Sequence, residues 1–135
     1  MKRLLSIKYS AGAFSAAMLF LRLGLGFLMM AHGYDKLLRF STIHNTFLNF
    51  FGIGSTFSLT LVIFAEFFCS LFLILGLFTR LSVIPLIVTM CVALFQVHHG
   101  AVFGKGETDT LFLAGYAVLL LLGPGRVSVD SMISK

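Results

Sequence analysis

Hydrophobic and polar positions alternate along this chain in long blocks. Four apolar runs are separated by short polar breaks: about Ala13 to Leu38, Phe57 to Phe78, Leu81 to Val97 and Thr108 to Leu122. About 20 apolar residues in helical form cross the hydrocarbon of a bilayer. Each run therefore predicts a membrane-spanning helix, and the predicted fold is an all-α membrane four-helix bundle in one domain, residues 1–135. The last run stops at Gly123-Pro124-Gly125, a helix terminator. Thr79-Arg80 separates the second and third runs so narrowly that it predicts a tight turn and an antiparallel hairpin. The link 39–56 is aromatic and uncharged after Arg39, which suits a short interfacial helix. The first run follows Lys2, Arg3 and Lys8 as a signal peptide would, but it is long, carries Arg22 and precedes three more runs. A retained span is predicted.

Composition agrees with the pattern. Hydrophobic residues make up 59% and charged residues 11%, with a mean hydropathy of +1.03. Soluble domains carry about 25% charged residues, and a domain this small could not hide so much apolar surface from water. Lipid is the remaining solvent. The net charge of +5 comes from scattered residues, so nucleic acid is excluded as a partner. The charges read instead as topology. Lys2, Arg3, Lys8, Arg80, Arg126 and Lys135 fall on one side, and Lys36, Arg39 and Lys105 on the other. The positive-inside rule then puts both termini in the cytoplasm of a multi-pass protein of the inner (plasma) membrane. Cys69 and Cys91 lie within apolar runs, have no metal or redox spacing, and read as small buried hydrophobes.

A charge in lipid costs about 3 kcal/mol on insertion scales, so each one needs a partner or a task. Arg22 and Glu66 lie within the apolar depth. With the ends of spans one and two taken as level, they fall within about 5 Å of the same depth. They are expected to pair, either as a register-setting salt bridge or as the base of a polar site for a substrate or quinone headgroup. Arg22, Gly26, Met29, Gly33 and Lys36 recur at helical spacing and predict an interior seam, its glycines allowing close helix approach. Glu66, Cys69, Leu73 and Gly76 make the matching face of span two, and Pro85, Thr89, Val92, Gln96 and His99 a stripe on span three. His32, His98, His99, Glu107 and Asp109 gather at the outer helix ends. Such a set can shuttle protons or simply anchor the interface, as His44 is expected to do. No metal is predicted, and haem is disfavoured, because neither has diagnostic spacing here.

Three segments, RLGLGFLMMAHGYDKL, FAEFFCSLFLILGLFTRLSVIPL and ETDTLFLAGYAVLLLLGPGRVSVDSMI, taken in order, resemble the DoxX family of small four-helix membrane proteins. The resemblance rests on Arg22, His32, Gly33, Lys36, Glu66, Gly76, Arg80, Glu107, Gly123, Gly125, Arg126, Ser128 and Asp130. That family takes its name from the membrane subunit of a thiosulfate:quinone oxidoreductase, and some members are linked to oxidative-stress assemblies with soluble partners. The resemblance implies a membrane subunit of a quinone-linked oxidoreductase system. Glu66 or His32 would handle protons, and Arg22 and Lys36 would bind the quinone, joined by Gln96 and His99, which come from the span-three stripe and not from the resemblance. The cofactor itself is unidentified, with quinone the candidate. Implied partners are the bilayer, a soluble or membrane redox subunit and a second copy of the chain. Whether the chain is itself an enzyme stays open. A non-catalytic assembly factor or scaffold is the alternative. A small-solute carrier ranks last, because the chain shows no inverted repeat. The GPGRVSVDSMI tail reads as structural, with Ser128 or Asp130 tying it down.

Overall fold

The computed structural model describes residues 5–44, 54–97, 99–100 and 102–133, with Val97 described by its backbone only. Lys2, Arg3, His98, Lys135 and most of the link after His44 lie outside the described residues. All the regular structure among the described residues is helical. Helix α1 is Ala11–Leu38, begun by Ser10, whose hydroxyl accepts from Ala13 N–H at 3.0 Å. A single turn, α2, covers Phe40–Ile43. Helix α3 is Ser55–Leu75, with a π-helical stretch over Phe64–Cys69. Helix α4 is Thr79–Gln96, π-helical from Ala93. Helix α5 is Glu107–Leu122, and a last short turn, α6, is Val129–Ile133.

Helices α1, α3 and α4, of 28, 21 and 18 residues, are long and apolar enough to cross a membrane. Helix α5 has 16 residues, or about 24 Å against a hydrocarbon core of about 30 Å. The surface is inverted relative to a soluble protein. Phe20, Phe27, Phe57, Phe64, Phe68 and Phe95 point outward, while Arg22, Ser58, Glu66, Ser70, Thr79 and Ser82 are buried. Only a hydrocarbon solvent favours that arrangement. The protein is an integral membrane protein built as an all-α bundle.

The seam predicted on α1 is the buried one: Arg22, Gly26, Met29 and Gly33 all face the bundle. A Cβ on Gly33 would stand 2.7 Å from the Phe67 backbone nitrogen and 2.8 Å from the Glu66 carbonyl carbon. Those are backbone atoms and cannot step aside, so glycine sets the α1–α3 separation there. Around this seam pack Met18, Met29, Leu73, Val83, Leu86, Tyr116 and Leu119.

The α3–α4 corner differs from expectation. The turn is Gly76 to Phe78, not Thr79-Arg80, which already belong to α4. Gly76 has φ +71°, Gly76 N–H donates to Leu73 O at 3.1 Å and Leu77 N–H to Phe72 O at 2.9 Å. This left-handed glycine cap closes α3 early. The next helix starts at once because its first amides find an acceptor far along the chain. The Asp130 carboxylate accepts from Phe78 N–H at 2.7 Å and Thr79 N–H at 2.9 Å. Asp130 N–H in turn donates to Gly76 O at 2.9 Å. The tail is tied down through Asp130, as its sequence suggested, and it also serves as the cap of α4.

Candidate functional site

Two polar clusters are built into the bundle, one near each end of α1. At the C-terminal end of α1, Lys36 Nζ donates to Glu66 Oε2 at 2.5 Å, joining α1 to α3. The Glu66 side chain is only 4% exposed and that of Lys36 24%. Glu66 belongs to the π-helical stretch Phe64–Cys69. One wide turn of this kind inserts an extra residue and re-aims its neighbours, a device common at functional sites. Here Glu66 meets α1 directly over Gly33, where no side chain keeps the helices apart.

Three further groups surround this pair. His32, one turn before Lys36 on α1, is exposed at the rim and meets Phe112 edge-on, with ring centroids 6.3 Å apart. Asp109 is buried in the first turn of α5, where the helix N-terminus favours a carboxylate. Tyr116, two turns further along α5, is fully buried and lies within electrostatic reach of Glu66 and Cys69. Its hydroxyl has no hydrogen-bond partner among the described residues. A buried hydroxyl left unmatched costs about 1–3 kcal/mol.

The expected Arg22–Glu66 pair does not form. Arg22 is 1% exposed and donates through Nη1 to Leu73 O at 3.4 Å and through Nη2 to Val127 O. The physical reason is register. Gly33 abuts Glu66, Gly26 abuts Ser70 and Ile74, and Arg22 lies against Gly76. The end of α3 is thus level with Arg22, eleven residues inside the start of α1 at Ala11, a stagger of about 16 Å. Level ends were the wrong premise. Arg22 belongs to the second cluster, where it holds carbonyls of the α3 end and the tail and lies in the field of Asp130.

Gln96 and His99 are exposed, and no contact joins either to Glu66 among the described residues. The buried face of α4 is Thr79, Ser82, Val83, Leu86 and Met90, followed by Leu94, offset from the Pro85–Thr89–Gln96 stripe. Asp35 pairs with Arg39 at 2.7 Å on the surface. The polar end of α1 therefore divides into one surface pair, one interior pair and one rim histidine. His44 Nδ1 stands 3.3 Å from Thr56 Oγ1, linking α2 to the start of α3. Cys69 is buried and Cys91 partly so, both as free thiols.

Tyr116 escaped the sequence reading. The signal was present, because Asp109, Phe112, Tyr116 and Leu119 recur at steps of three and four and form the buried face of α5. A tyrosine within such an apolar stripe has a hydroxyl to satisfy.

Among the described residues, no three His, Cys, Asp or Glu side chains are grouped to hold a metal ion. No curated protein and no solved structure matches the chain. The sequence pattern of DoxX does match, over residues 17–99. That stretch is more than half of the chain and contains Arg22, His32, Gly33, Lys36, Glu66 and Arg80, and on it the protein belongs to the DoxX family.

Proposed function

We propose that this protein is the small membrane subunit of a quinone-linked oxidoreductase system, and that the cluster between α1, α3 and α5 binds the quinone ring and moves its protons. The observation that carries this reading is the buried Tyr116 hydroxyl, which has no hydrogen-bond partner among the described residues. A bound quinone supplies acceptance of two electrons and two protons, the electrons coming from a redox partner subunit. Tyr116 donates its hydroxyl hydrogen to a ring carbonyl. Glu66 holds or passes a proton, and Lys36 fixes the orientation of its carboxylate. His32, at the rim, links the interior to the aqueous side. Arg22, Gln96 and His99 have no part in this reading. The protein lies in the inner (plasma) membrane with both termini in the cytoplasm. Lys8, Arg80 and Arg126, on the termini's side of the bundle, support that orientation.

The test is equilibrium binding of a short-chain benzoquinone to the protein in lipid nanodiscs. Tyr116→Phe is expected to weaken binding by roughly tenfold, the worth of one buried hydrogen bond. Glu66→Gln is expected to abolish proton-coupled turnover with the partner while the helix content stays unchanged. Unaltered binding in Tyr116→Phe rejects the site. A second reading, a non-catalytic assembly or scaffold factor, is favoured by the Lys36–Glu66 pair acting as a staple between α1 and α3. In that case both substitutions change stability alone.

A further inference from the structure

The far end of the bundle, where α4 begins and α5 ends, carries an open groove of about 630 Å³. Its walls include Arg80, Arg126, Thr79, Phe78 and Leu81. A second cleft of about 260 Å³ opens between α3 and α4, lined by Phe64, Phe72, Ile84 and Pro85, and shares Phe78 and Leu81 with the first. One hollow is basic and the other almost wholly apolar, and they meet at two residues.

The charge in the basic groove is uncommitted. Arg80 Nη2 donates to Leu121 O at a long 3.4 Å, and Arg126 Nε to Ser15 Oγ at 3.1 Å. Among the described residues neither guanidinium is in an ion pair. The acidic wall residue, Asp130, already accepts from two backbone amides and lies in the field of Arg22. Two exposed guanidinium groups lining one groove suit a phosphate, which accepts from both. The apolar cleft continues inward along α3 from Phe78 to Phe64. From Leu75 to Phe64 is about 16 Å of helix, close to the roughly 15 Å depth of one leaflet's hydrocarbon.

We propose that these two hollows form one binding site for an anionic phospholipid, with its phosphate on Arg80 and Arg126 and an acyl chain in the cleft beside Phe64 and Pro85. The site is separate from the Glu66 cluster and stands whether or not that cluster binds quinone. Charge complementarity selects the headgroup, and the apolar cleft requires that the phosphate carry a chain.

The chain has no tryptophan, so a Leu81→Trp protein carries a single reporter where the two hollows meet. It is placed in nanodiscs of phosphatidylglycerol and phosphatidylcholine, with brominated tails on one lipid or the other. At equal mole fraction, brominated phosphatidylglycerol is expected to show about thirtyfold local enrichment, the effect of two arginines near a lipid surface. Raising the salt should reduce it. In Arg80→Gln/Arg126→Gln the preference should vanish, and in Arg80→Lys/Arg126→Lys it should persist. Equal quenching by both lipids overturns the proposal. So does full displacement of the signal by inorganic phosphate, since that would mean an anion site indifferent to the chain. If the glutamine pair does not fold, the salt series on the reporter protein decides, and a preference unmoved by salt rejects the site.

Discussion

The Lys36–Glu66 pair makes a quantitative prediction because its two members are unequally buried. Glu66 is 4% exposed, among apolar side chains and more than two turns from either end of α3. Lys36 is 24% exposed and two residues from Leu38, the end of α1. Removing one partner of a buried pair typically costs about 3–5 kcal/mol, because the other charge is left uncompensated. Lys36→Met strands Glu66 in the interior and should cost that full amount. Glu66→Gln strands only Lys36, whose four-carbon stem can carry its ammonium to the interface, so about 1–2 kcal/mol is expected. Lys36→Met/Glu66→Gln removes both charges and should come within about 2 kcal/mol of the parent. The coupling energy from this cycle should therefore be at least about 2 kcal/mol. The assay is reversible unfolding in mixed lipid–detergent micelles, followed by circular dichroism. If the single changes simply add, or if Glu66→Gln is the more damaging, the pair is not the interior staple described above.

Further outcomes follow from single contacts. Gly33→Leu must push α1 away from the α3 backbone at Glu66 and Phe67, so a loss of roughly 1–3 kcal/mol is expected in the same assay. Asp130→Ala removes the acceptor for Phe78 and Thr79 N–H. It should cost about 1–2 kcal/mol, as helix-cap losses do, and should speed proteolysis of the tail after Gly125. Tyr116→Phe should raise the stability of the ligand-free protein by about 1 kcal/mol, because it deletes an unmatched buried hydroxyl. A fall in stability would mean that the hydroxyl is already satisfied and would remove the main support for a quinone there. Arg22→Met leaves Leu73 O and Val127 O without their donor, and the expected result is the same tail release in a proteolysis time course.

The amino-acid sequence alone determined the solvent and the secondary structure. Long apolar runs cannot be hidden in a chain of 135 residues, and in lipid each run must satisfy its own backbone as a helix. The helix ends at Leu38 and before Gly123 fell where the pattern put them, while the cap at Ser10 starts the first helix two residues before the predicted Ala13. The interior face of α1 was legible in the spacing of Arg22, Gly26, Met29 and Gly33, because periodicity is a property of one helix. The choice of partners was not. Glu66 takes Lys36 and not Arg22 because α1 overshoots the end of α3 by three turns, and stagger between helices leaves no mark on the pattern of either. The α3–α4 corner closes at Gly76 because Asp130, 51 residues beyond Thr79, supplies the cap. Gln96 fell on the outside of α4 because its buried face follows Val83, Leu86 and Met90, and His99 lies in the left-handed turn beyond the helix. Tyr116 came into the core with the buried face of α5, beside Phe112 and Leu119. Which polar groups meet is decided by how the helices slide and rotate against one another, and that is set by packing across the bundle, where glycines allow close contact and bulky side chains prevent it.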